Sequence, residues 1–156
     1  MTNRDIITQY FEDAKKSLIE NYQKKGLKAS GKFEKSLSVS INEQPTSIKA
    51  VIRGARHSEF MEIGRRPNQS QTLQAVRGLG KILEQWVIDK GLVGRVNPYA
   101  AAHKIVHEGI KIPNRYNVGG VISDTINKAW VEELSDKLMF NTITGLRSDI
   151  YKLFNE

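Results

Sequence analysis

Ser36-Leu37-Ser38-Val39-Ser40-Ile41 and, a few residues on, Ile48-Lys49-Ala50-Val51-Ile52-Arg53 decide the fold class. In the first stretch apolar and serine positions alternate strictly, the period-2 signature of a half-buried strand. The second is rich in β-branched residues. Asn42 to Thr46, with Pro45, predicts a hairpin loop between them. Serines on one face make the sheet one-sided, as antiparallel sheets commonly are. A sheet with one apolar face needs a cover, and helices on either side in sequence supply it.

Upstream, Ile6, Ile7, Tyr10, Phe11, Ala14, Leu18, Ile19 and Tyr22 recur at helical spacing. Asp5 or Asn3 is the expected cap and Gly26 the expected stop. Between this helix and the first strand, Lys24, Lys25, Lys28, Lys32 and Lys35 stand against a lone Glu34. Ala29-Ser30-Gly31 breaks the run, so the segment reads as an exposed basic connector. Downstream, Glu59 to Gly64 is a short ordered piece, a further strand or one helical turn. Arg65-Arg66-Pro67-Asn68-Gln69-Ser70-Gln71 reads as a polar, basic loop. A second amphipathic helix is expected from about Leu73 to Lys90, weakened by Gly78 and Gly80. A third starts at Asn97-Pro98, a cap followed by proline at the first helical position, and stops at Gly109. Residues 112–120 are loop-rich. A long helical segment is expected from about Ser123 to Phe154, on a stripe of Ile126, Ala129, Trp130, Leu134, Leu138 and Met139, with Gly145 a candidate break. The fold class is therefore α+β: a small antiparallel sheet, a hairpin plus short strands, packed against N-terminal, central and long C-terminal helices. The whole of 1–156 reads as one domain, with 73–112 a helical insert.

The chain has 156 residues, no cysteine and a formal net charge of +7. Without cysteine there is no disulfide scaffold, thiolate metal site or cysteine nucleophile. No apolar run is long enough to span a bilayer. The first residues lack the apolar core of a signal peptide, and the expectation is a protein used without secretion. Charge is unevenly placed. Residues 1–123 carry 20 Lys and Arg against 11 Asp and Glu, and residues 124–156 carry 4 against 6. A basic body with an acidic C-terminal segment suits subunits that dock head to tail, although ordinary solvated surface accounts for it too.

Motifs for chemistry are missing. His103 and His107 lie four apart and share a helix face, but the order His-Lys-Ile-Val-His-Glu puts no glutamate where a zinc protease needs its base. Glu59 and Glu62 flank apolar residues and read as edge charge. Gly78-Leu79-Gly80 lacks the rest of a dinucleotide fingerprint, and no serine sits in a nucleophile elbow. The reading is a non-enzyme without cofactor or metal. The basic residues, joined by Arg53, Arg56, Arg65 and Arg66, have only Phe33 interleaved in the first stretch, poor support for a base-stacking platform. Contact with a nucleic-acid backbone is the most that the charge alone supports.

Taken in order, Ala29-Ser30-Gly31-Lys32-Phe33-Glu34-Lys35-Ser36-Leu37 resembles the entry into the first strand of the head–tail joining, or tail-completion, proteins of long-tailed bacteriophages. His57-Ser58-Glu59-Phe60-Met61-Glu62-Ile63-Gly64-Arg65-Arg66-Pro67 is similar to that family's segment of an aromatic-alanine pair, a glutamate and a glycine. The likeness is best over residues 5–67. His57-Ser58 replaces the tyrosine-alanine pair, and the aromatic-proline motif before the last helix is absent, which leaves tail completion and tail terminator both open. The resemblance implies a structural virion protein of the phage neck, present in the virion and, during assembly, in the bacterial host cytoplasm. Its partners would be other neck and tail proteins and copies of itself in a ring, a hexamer being favoured. A chain of this length has a radius of gyration of about 15 Å and is roughly 39 Å across. Six such bodies enclose a lumen of roughly 40 Å, wide enough for double-stranded DNA. Lys24, Lys25, Lys28, Lys32, Lys35, Arg65 and Arg66 are the candidate partner-facing or lumen-facing residues. A reading of a different class is a nonspecific nucleic-acid-binding accessory protein.

Overall fold

The computed structural model describes residues 1–154. Six helices and one antiparallel hairpin make an α+β fold. Helix α1, Asn3–Lys24, buries Ile7, Ala14, Leu18 and Tyr22, four positions on one helical stripe. Its cap is Thr2 rather than Asn3 or Asp5. The Thr2 hydroxyl accepts from the Asp5 backbone N–H, and the Asp5 carboxylate accepts from the Thr2 N–H, a reciprocal capping box. The expected cap at Asp5 is thus off by one turn, because a hydroxyl three residues ahead can satisfy an orphan donor that Asp5 itself cannot reach.

The supposed connector is not a connector throughout. Gly31, at φ 73°, turns the chain into a short helix α2, Lys32–Ser36. Phe33 within it is 1% exposed and its ring lies 4.6 Å from that of Tyr22. Burial of one aromatic side chain draws this basic segment onto the core. Ser36, expected in the first strand, ends α2, its hydroxyl accepting from the Ala55 N–H. Strand β1 is Ser38–Gln44 and β2 is Ser47–Arg53, in register from Ser38 opposite Arg53 to Gln44 opposite Ser47. The expected five-residue loop shrinks to Pro45 and Thr46, because both strands run further than their apolar alternation. Beyond the hairpin, pairing among the described residues is confined to two isolated bridges, Arg65–Ile110 and Asn114–Asn117.

Helix α3, Ser58–Ile63, makes the Glu59 to Gly64 piece helical rather than a strand. Helices α4, Leu73–Asp89, and α5, Pro98–Glu108, start at Thr72 and Asn97 side-chain caps. They pack on each other around Val76, Ala102 and Val106. The main core is separate: Leu18, Tyr22, Phe33, Leu37 and Val121, flanked by Ile19, Leu27, Ile52, Met61, Ile122 and Ile126. Helix α6, Lys128–Phe154, begins five residues later than expected, since 121–127 form consecutive turns, and it passes through Gly145 unbroken. The side chains of Leu153 and Phe154, which extend the sequence stripe, lie outside the described residues.

Candidate functional site

The basic segment is largely neutralised from within. Lys25 pairs with Asp124 at 2.8 Å, Lys28 with Glu34 at 3.3 Å and Lys24 with Glu20 at 4.0 Å. Hydrogen bonding from Gln23, ahead of the Lys28 charge, holds the Glu34 carboxyl below its ordinary range. Lys32 and Lys35 are exposed and make no ion pair among the described residues. Five lysines that look equivalent in sequence therefore divide into three paired and two available. The only aromatic interleaved among them, Phe33, is in the core and offers no ring face to a base.

Arg65 and Arg66 also differ. Arg65 exchanges both backbone hydrogen bonds with Ile110, at 2.9 and 2.7 Å. Its guanidinium donates to Asn68 Oδ1 at 2.7 Å and lies 6.0 Å from the Phe60 ring centroid. Arg66 is exposed. The approach depends on two left-handed glycines. A Cβ on Gly64 would overlap the Ile110 carbonyl, and one on Gly109 the Arg65 carbonyl. Arg65 is therefore part of the seam between the main body and the α4–α5 pair, and Arg66 is the exposed half of the arginine pair.

Glu62 is not the edge charge expected from its neighbours. Its carboxylate accepts from the backbone N–H groups of Ile122 at 3.0 Å and Ser123 at 3.2 Å. Burial pushes its pKa up, and these backbone donors outweigh burial, leaving the carboxyl below its ordinary range. Only the long-range fold brings residue 62 to residue 122, so no local sequence signal could have found it. His103 and His107 do share a face, with rings stacked at 4.1 Å. His107 Nδ1 lies 2.8 Å from the His103 carbonyl oxygen. No third metal-ligating side chain joins them among the described residues.

Helix α6 carries a run of exposed apolar side chains. Its first half runs antiparallel to α1. Tyr10 and Phe11 pack on Trp130 with ring centroids 5.0 and 5.3 Å apart, and Lys137 Nζ sits 4.7 Å from the Tyr10 ring centroid. Burial, then the Glu133 carboxylate, pushes the Tyr10 hydroxyl up to about 12. The paired helices leave a groove of about 560 Å³ lined by Met1, Ile6, Tyr10, Asp136 and Phe140 among others. From Thr142 to Lys152 every residue is exposed. Met139, Phe140, Ile143, Leu146 and Ile150 are between 47% and 74% exposed. Among the acidic residues of α6, Glu132 pairs with Lys128, Glu133 with Lys137 and Asp149 with Lys152, each within one turn, whereas Asp136 has no ion pair among the described residues. No described helix is long and apolar enough to cross a membrane. Compared with family models, curated proteins and solved structures, the chain matches none of them.

Proposed function

We propose that this chain is a structural subunit of the phage neck, joining or completing the tail at the head–tail interface as part of a ring around the DNA channel. The observation that carries the reading is the outer half of α6, a helical arm with bare aliphatic side chains extending past the body that supports its inner half. An isolated helix of this length is marginal in water. Such an arm gains its stability from a surface that covers it, and that is the property of an assembly subunit. Order and spacing of the segments at residues 29–37 and 57–67 support the same reading. So does the excess of positive charge in a body that would stand beside DNA.

Within this reading, Lys32, Lys35 and Arg66 are the partner-facing or lumen-facing cations. Lys24, Lys25, Lys28 and Arg65 act inside the subunit. A tail terminator occupies the neighbouring position in the neck and would use the same surfaces. The test is recovery of the tagged protein from infected cells, read by mass spectrometry with negative-stain imaging of particles. Portal, connector or tail-tube proteins in the recovered material, or label at the virion neck, support it. Nucleic acid and replication proteins without any virion component overturn it in favour of an accessory DNA-binding protein.

A further inference from the structure

The outer face of α6 carries an apolar stripe with an acid at one end and a base at the other, both unpaired among the described residues. On a helix of 3.6 residues per turn, Ile143 lies at the centre of the exposed face. Met139 and Leu146 fall on one flank of it, and Asp136, Phe140 and Arg147 on the other. Asp136 and Arg147 have no ion-pair or hydrogen-bond partner among the described residues, unlike Glu132, Glu133 and Lys137 on the same helix. An acid thus stands on the inner side of the stripe and a base on the outer, with aliphatic residues between.

We infer that two copies of this chain pair through antiparallel α6 helices about a two-fold axis at Ile143. Such an axis sets each position before 143 opposite the position equally far after it, and it keeps like flanks together. Ile143 then meets Ile143 of the second copy. Met139 comes beside Leu146 of the second copy on one flank, twice over. On the other flank Arg147 of the second copy enters between Asp136 and Phe140, taking an ion pair and a ring face. Parallel pairing about an axis along the helices would instead set the Asp136 and Arg147 flank against the second copy's Met139 and Leu146 flank, with Asp136 and Arg147 eleven residues, about 16 Å, apart, so only the antiparallel arrangement brings the two charges together. It also gives each outer half-helix a neighbour from the second copy's inner half, the part already held by α1. The pairing covers the arm that carries the neck reading but is tested on its own: a dimer can form in a protein of any role, and the neck reading is decided by which proteins the chain is recovered with.

Absence of native cysteine makes the test direct. Ile143→Cys, oxidised in solution, should give a disulfide-linked species of twice the 17.6 kDa chain mass. Ser148→Cys, about 140° round the helix, should not. In sedimentation velocity the wild type should reach the same doubled mass with rising concentration. Arg147→Glu and Asp136→Arg should each weaken the dimer about tenfold or more, and the two together should restore it to within about threefold. All four positions are exposed, so circular dichroism of the variants should match the wild type. A wild type that stays monomeric, equal cross-linking at 143 and 148, or a double reversal that fails to restore pairing overturns the inference.

Discussion

Asn141 Nδ2 donates to Asn3 Oδ1 over 2.8 Å, joining the first turn of α1 to the middle of α6. Asn3 Nδ2 in turn reaches the Thr142 hydroxyl at 3.3 Å. These bonds mark the place where α6 leaves its intramolecular support. Up to that point the helix is covered on one side by α1; past it the helix continues for about 20 Å at 1.5 Å per residue.

Glu62 is expected to matter for acid stability. Its folded pKa lies below the ordinary value, so its contribution is complete above about pH 4.3 and is lost as pH falls through the lowered folded value. Glu62→Gln keeps the shape but weakens both charge-assisted bonds, and should cost about 1–2 kcal/mol at neutral pH. Urea unfolding across pH should show a shallower acid limb in the variant than in the wild type. Equal slopes would remove Glu62 from this role.

Tyr10 governs the opposite end of the pH scale. Its pKa is raised to about 12 in the folded protein, against about 10 for a free tyrosine. The associated stability is present below pH 10 and lost as pH rises through 12. Tyr10→Phe should abolish that alkaline loss. Absorbance titration of the tyrosinate band should show one late-ionising group fewer.

Two glycines of α4 should respond in opposite senses. A Cβ on Gly80 would overlap the Tyr99 ring, and Gly78 has nothing within 4 Å. Gly80→Ala should destabilise by about 1–3 kcal/mol through overpacking of α4 on α5. Gly78→Ala should stabilise by about 0.5–1 kcal/mol through helix propensity. Thermal unfolding of the two variants side by side checks this.

Arg65 and Arg66 should separate in the same way. Arg65→Glu loses the bond to Asn68 and should cost about 1–2 kcal/mol. Arg66→Glu should leave stability within about 0.5 kcal/mol. Under the neck reading, Arg66→Glu should lower the yield of complete virions while the isolated subunit unfolds as the wild type does. Undiminished virion yield would take Arg66 out of the interface.

Local pattern made much of this fold legible. The Ser36–Ile41 alternation, the stripe of α1 and the Asn97-Pro98 start of α5 each led to the right element. Their determinants lie within a few residues of one another, where periodicity and capping operate. What escaped depends on contacts between distant residues. Gly80 looks like a weak point in a helix until Tyr99 is brought against it. Glu62 looks like surface charge until the turn at Ile122 arrives. The five connector lysines look alike until Asp124, Glu34 and Glu20 select three of them. Phe33, read among lysines, belongs to the core because Tyr22, in the last turn of α1, packs its ring against it.

The separation of the two cores has a consequence for how the molecule breathes. Val76, Ala102 and Val106 share no buried neighbour with the cluster around Phe33. Hydrogen bonds between them include the Arg65–Ile110 backbone exchange, the Asn68 N–H to the Val106 carbonyl, and Lys90 Nζ donating to the Gly26 carbonyl. A link of few bonds between two small cores makes the α4–α5 pair a foldon, able to open as a unit while α1, the hairpin and the Val121 turn stay shut. Amide hydrogen exchange would then fall into two tiers, with the slow tier set by Leu18 and Tyr22 and the fast tier by the seam at Gly64 and Gly109.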